Sequence, residues 1–166
     1  MFYALQFDSS KSFKSFSLPV LYNLLTLQQK GYKIMKITKQ ILDSLTEQAK
    51  SSPRLRMNYD LRNSAEDQSQ RMLNALEPGT DMPIHRHRST SETVVCIRGH
   101  FEEYFYDEKG NLTETIDMVP GGVVLNIEAG QWHSLKSLES GTVLLEIKDG
   151  AYKPLEPEDI LNPSVL

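Results

Sequence analysis

Cysteine is nearly missing: Cys96 is the single one in 166 residues. That excludes an internal disulfide and suits a reducing compartment, so the cytoplasm is the expected location. Basic clusters are missing too. Lys and Arg number 18 against 22 Asp and Glu, for a net charge of −4, which argues against a nucleic-acid partner. No long apolar run is present. The longest, near Leu18 to Leu27, is broken by Pro19, Asn23 and Thr26 and is too short to span a bilayer. It lacks the small-residue cleavage site of a secretory signal. Repeats, low-complexity tracts and an interdomain linker are also lacking. What remains is ordinary in bulk: 39% hydrophobic and 24% charged residues, enough to bury a core without staples.

The first 34 residues differ from the rest. Four lysines (Lys11, Lys14, Lys30, Lys33) against Asp8 give them a net charge of +3, which leaves −7 for the remainder. Residues 1–34 are expected to be an N-terminal extension, with Met35 as the natural start. The other reading is an extension that packs on the domain or a partner. Over residues 35–53, Ile37, Ile41, Leu42 and Leu45 recur at helical spacing, Thr38 is placed to cap, and Pro53 stops the pattern. From Arg54 onward the signals are β. Short alternating runs cover 68–77, 93–98, 101–106, 112–119, 123–127, 131–138 and 142–148, each closed by turn chemistry such as Glu77-Pro78-Gly79 or Pro120-Gly121-Gly122. Runs about ten residues apart point to an all-β, mainly antiparallel sandwich or barrel over 54–166. The tail after Gly150 holds three prolines and is expected to lie across the surface.

Within this pattern lie three of the chain's four histidines. His85 and His87 are two apart, so on a strand they share a face. Glu92 follows five residues later, and His133 forty-one after that. Imidazoles plus a carboxylate suit one divalent transition metal ion: iron, manganese, nickel or zinc. Four ligands on a six-coordinate ion leave two positions open, a trait of reactive rather than structural sites.

Glycines frame both parts of this set. Gly79, five residues, His85-x-His87, four residues, Glu92, six residues and Gly99 form the first motif. Gly122, five residues, Glu128-x-Gly130, two residues and His133 form the second, with Ser137 four residues on. The pair resembles the two motifs of the cupin family, departing only where Glu128 replaces a proline and Ser137 an asparagine. From Met35 to about Pro163 the chain is similar to WbuC-type cupins, small metalloproteins often associated with surface-polysaccharide (O-antigen) gene clusters. The similarity rests on Ser52-Pro53-Arg54-Leu55-Arg56-Met57-Asn58, on Gln70-Arg71-Met72-Leu73-Asn74-Ala75-Leu76-Glu77-Pro78-Gly79, and on Glu146-Ile147-Lys148 with Tyr152-x-Pro154. Arg62 departs from it, standing where a histidine is expected. The resemblance implies a cupin or jelly-roll β-barrel of six to eight strands with a short N-terminal helix, a bound metal, and a homodimer. It implies action on a carbohydrate or sugar nucleotide in polysaccharide biosynthesis, with isomerisation, hydrolysis and oxygen-dependent cleavage all open. Two alternatives stand beside it: a non-catalytic metal-containing module that binds an anionic sugar, and a dioxygenase of another small molecule.

Other residues carry two readings each. Thr142, Leu144, Glu146 and Lys148 share one strand face, and the apolar Val143, Leu145 and Ile147 the other. Glu146 and Lys148 either line the barrel mouth or sit on a solvated edge. Arg54, Arg56 and Asn58 alternate and suit a carboxylate or phosphate ligand, or else pair with surface acids. Arg71 has the same two readings. Trp132 points away from His133 and is expected to pack. Cys96 shares parity with Glu92 and Val94, so it is either an inert core residue or a thiol close to the metal. His100 is expected at the surface.

Overall fold

Thr38 opens the first regular element. Its hydroxyl accepts from the Ile41 amide at 3.5 Å and caps helix α1 (Lys39–Ser51). Leu45 and Ala49 on its inner face are fully buried against Leu73, Ala75 and Val143. Burying a leucine in this way stabilises by about 1.5–3 kcal/mol. A second tie comes from Arg98. Its guanidinium donates to Asp43 at 2.7 Å, to the Leu42 carbonyl and the Thr46 hydroxyl at 3.0 Å, and to the Gly141 carbonyl at 3.0 Å.

Residues 34–161 of the computed structural model are described here. The chain divides into two units, 1–36 and 37–166. The expected extension, residues 1–33 of it, lies outside the described residues. Ten strands follow α1: β1 (Arg56–Asp60), β2 (Ser69–Leu76), β3 (Ile84–His85), β4 (Glu92–Arg98), β5 (Phe101–Tyr106), β6 (Leu112–Met118), β7 (Val124–Ile127), β8 (Trp132–Ser137), β9 (Thr142–Asp149) and β10 (Ile160–Leu161). They form two five-stranded sheets, β1-β2-β9-β4-β7 and β10-β3-β8-β5-β6, antiparallel throughout their strand pairs. The all-β expectation holds. The strand number exceeds the expected six to eight, because two-residue pairings at β3 and β10 complete the second sheet.

Strand parity explains the core. On β9, Val143 faces α1, while Leu144 joins Leu76, Val94, Phe101 and Met118 between the sheets. The first sheet is therefore apolar on both faces, which is why the helix can cover it. Gly99 shows how closely β4 turns into β5. Its φ is +81°, and an added Cβ would sit 2.4 Å from the Thr142 hydroxyl and 2.7 Å from its Cα. No helix among the described residues is long and apolar enough to cross a membrane.

The tail corrects an expectation. Rather than lying on the surface throughout, it returns as β10, where Ile160 pairs with His85 and Leu161 with Ile84. Asp159 secures the return: its carbonyl accepts from the Arg86 amide at 3.1 Å, and its carboxylate holds Arg86 at 3.2 Å and also Arg88.

Candidate metal centre

The three histidines converge from β3, the segment just after it, and the adjacent strand β8. His85 on β3 pairs directly with His133 on β8, and their ring centroids are 4.4 Å apart. His87 lies 5.1 Å from His85 and 5.9 Å from His133 by the same measure. It does not sit on the strand, which ends at His85; the extended-strand argument for a shared face covers only the first of the two. One nitrogen from each ring lies within 4.8 Å of the others.

Ring orientation is set by the backbone. His85 Nδ1 donates to the Pro83 carbonyl at 3.1 Å, and His133 Nδ1 donates to the Gln131 carbonyl at 2.9 Å. Carbonyls can only accept, so in the neutral ring each Nε2 carries the lone pair, which is the state a metal requires. Burial lowers the His85 pKa to about 3. Burial and then the Lys148 charge lower that of His87 to about 4. Both are neutral ligands at pH 7.

Glu92 faces this cluster from β4 on the opposite sheet. Its Oε1 lies 3.1 Å from His133 Nε2, and its Oε2 lies 3.5 Å from His87 Nε2. His133 Nε2 is buried and has no hydrogen-bond partner. A neutral His133 would set two acceptors against each other here, so the pair calls for a proton or a metal ion between them, and three imidazoles with one carboxylate are a donor set that fits a metal ion. Lys148 supplies one neighbouring charge. Its ammonium reaches Glu146 at 2.6 Å, His87 Nε2 at 2.9 Å and Glu92 at 3.1 Å. Burial alone would lower its pKa, but Glu146 and Glu92 outweigh it and the net shift is upward. The two acids share this one cation unequally. Burial pushes both up; His133 and Lys148 bring Glu92 well below the usual carboxylate range, while Glu146 stays above its own. Glu146 is further held by Asn74, whose amide donates at 2.9 Å.

A cavity of about 270 Å³ opens beside the histidines. His85, His87, Glu146, Lys148, Arg54, Arg56 and Asn58 are among the residues that line it. The alternation that links these last three is only partly a strand, because Arg54 precedes β1 in a turn where Leu55 takes φ +54°. Arg56 donates to the Asp81 carbonyl at 3.3 Å and contacts the Met82 sulfur. Arg71 follows its surface reading and pairs with Asp67 at 2.7 Å. Trp132 packs as expected, 4% exposed, with Arg86 stacked at 4.3 Å. His100 is half-exposed and pairs with Asp117. Cys96 takes its inert reading: its thiol contacts the Arg98 and Gly99 carbonyls at 3.6 Å, at the far end of β4 from Glu92. Sequence reasoning missed Asn74 and Glu103. The available signal was parity: Asn74 shares a face with Met72 and Leu76, and Glu103 with Phe101 and Phe105.

Residues 37–118 match the model of a family described as a domain of unknown function, DUF6016. The match includes His85, His87 and Glu92 and stops short of His133. No curated protein sequence matches the chain. Among solved structures, KdgF from Halomonas sp. is similar at 14% identity over 61% of this chain and 84% of that one, with a TM-score of 0.49. Oxalate decarboxylase from Bacillus subtilis is similar at 22% identity over 60% of this chain, with a TM-score of 0.47; the chain spans about a quarter (26%) of its length. The Cnp3 cupin domain from Schizosaccharomyces pombe is similar at 15% identity over 58% of this chain and 65% of that one, with a TM-score of 0.47.

Proposed function

We propose that the chain is a metal-binding protein of the cupin kind, with His85, His87, Glu92 and His133 holding one divalent transition metal ion. The observation that carries this is the convergence of three imidazoles, one nitrogen of each within 4.8 Å of the others, beside the Glu92 carboxylate, whose Oε1 lies 3.1 Å from His133 Nε2. The motif spacing and the two-sheet topology support the family reading. A bound metal would supply Lewis acidity or an activated water. The chain's own residues do the rest. Pro83 and Gln131 orient imidazoles, Lys148 offsets the acids, and the apolar cluster between the sheets limits water.

The ligand in this reading is a small anion, a sugar acid or sugar nucleotide, met by Lys148 near the histidines and by Arg54 and Arg56 farther out, with Asn58 and Glu146 as polar contacts. A role in surface-polysaccharide biosynthesis rests on the resemblance of the 52–58 and 70–79 segments. Elemental analysis of purified protein, followed by a thermal-shift screen of the metal-loaded form against sugar acids and sugar nucleotides, tests both parts. Substoichiometric metal after supplementation would remove the first. Stabilisation by neutral sugars alone would remove the anionic ligand. Turnover of a stabilising compound separates an enzyme from a binding module.

A further inference from the structure

His87 is the one proposed ligand that lies outside a strand, since β3 ends at His85. Its segment is nonetheless clasped from two sides. On one side, the His87 carbonyl accepts from the Gly130 amide at 2.8 Å. On the other stands the returning tail. Leu161 pairs with Ile84 and Ile160 with His85. The Asp159 carbonyl accepts from the Arg86 amide at 3.1 Å, and the Glu158 carbonyl accepts from the Arg88 guanidinium at 3.3 Å. One tail side chain takes part as well. The Asp159 carboxylate meets Arg86 Nε at 3.2 Å and also Arg88 Nε. It grips the residue on each side of His87, from 73 and 71 positions away in the chain.

Docking the tail does not by itself require this carboxylate. The strand pairs and the two backbone carbonyls already do that. An acid that holds positions i and i+2 restrains the backbone between them, and the residue between them is His87. Arg86 and Arg88 alternate with His85 and His87, so drawing both guanidinium groups to one acid leaves both imidazoles to the cavity that they line. The Asp159 side chain is 13% exposed and that of Arg86 20%, so water weakens this charge-assisted pair less than a surface one. We propose that Asp159 is a positioning residue for the metal centre: by pairing with Arg86 and Arg88 it sets the His87 imidazole where it meets His85 and His133. The tail is then part of the metal centre without supplying a ligand. Removing an outer group that orients a ligand weakens metal binding about 10–100-fold.

The inference rests on the metal reading, and one set of variants separates the two. Wild type, D159A, D159N and H87A are stripped of metal and titrated with Zn²⁺ and Co²⁺ by chelator competition. Visible spectra are recorded with Co²⁺ in excess, and thermal denaturation of each metal-free form checks that it is folded. D159A should bind about 10–100-fold more weakly than wild type. Its Co²⁺ bands should move toward those of H87A, because the same imidazole has left the ion. D159N keeps an oxygen acceptor for Arg86 but loses the charge, so its affinity should fall between those of wild type and D159A. If alanine does not fold in this position, D159N carries the comparison, and weaker binding with shifted bands is the expected result. Tight binding by wild type with unchanged affinity in the variant overturns the inference alone. So does weaker binding with wild-type bands, which would mean that Asp159 only anchors the tail. A wild type that binds neither ion overturns the metal reading and this inference together.

Discussion

Replacing Lys148 with methionine probes the charge balance of the interior directly. The side chain is 11% exposed and donates to Glu92, Glu146 and His87 at 3.1, 2.6 and 2.9 Å. The carboxylates it serves are themselves 6% and 18% exposed. Methionine keeps the length and apolar bulk of the stem, so little packing is lost. What goes is the cation that, among the described residues, contacts both acids. Removing one partner of a buried pair costs about 3–5 kcal/mol, because the remaining charge is stranded. For a domain of this size that is a Tm drop of roughly 10–20 °C. The Lys148 pKa is raised in the folded protein, so its contribution is fully present below the ordinary lysine range and is lost only as pH rises through the folded value. At pH 7 the whole effect should be visible. It should shrink in two circumstances. Acid can neutralise Glu146, whose carboxyl is already easy to protonate, and a bound divalent metal can replace the missing charge beside Glu92. Thermal denaturation of metal-free K148M and wild type at pH 7 and pH 5, with and without metal, gives the answer. A drop under about 3 °C at pH 7, or a drop that metal does not reduce, would refute the shared-cation argument.

Three further outcomes are expected. H87A should lose most of its bound metal by elemental analysis and, with it, the stabilisation that binding to the folded state brings; full occupancy would refute the ligand assignment. The metal-free protein should lose stability as pH falls from about 6.5, where unfolded histidine takes up a proton, toward the folded values of about 3 for His85 and about 4 for His87. Each histidine contributes a slope of up to about 1.4 kcal/mol per pH unit, stability rising with pH, and urea titrations between pH 7 and pH 4 read it. G99A should cost at least about 2 kcal/mol in the same titration, since alanine meets both a positive φ and Thr142 at 2.4 Å; a neutral result would mean that the β4–β5 turn relaxes freely.

Period and punctuation made much of the architecture legible. Helical spacing around Leu45 and a capping Thr38 located α1, and alternation with Gly or Pro turns located nearly every long strand. The convergence of His85, His87 and His133 was legible because glycine-framed spacing carries information that survives without coordinates. Less was readable where function depends on what lies across a gap. His87 lies beyond its strand, so its convergence with His133 follows from sheet pairing rather than parity. The partners that fix each tautomer are the Pro83 and Gln131 carbonyls, and backbone carbonyls leave no mark in side-chain chemistry.

The amino-acid sequence by itself determined which residues are apolar at a period of two or 3.6, and so which elements form and which faces turn inward. It also determined the donor set, because imidazole and carboxylate are the same chemistry in any fold. Only the tertiary structure decided which charges meet. It brought Glu146 and Lys148 of β9 beside Glu92 of β4, returned the tail as a strand next to His85, and buried the Glu103 side chain of β5. Those contacts are non-local, 56 residues apart for Glu92 and Lys148, and their energies depend on distance and burial, which no linear pattern encodes.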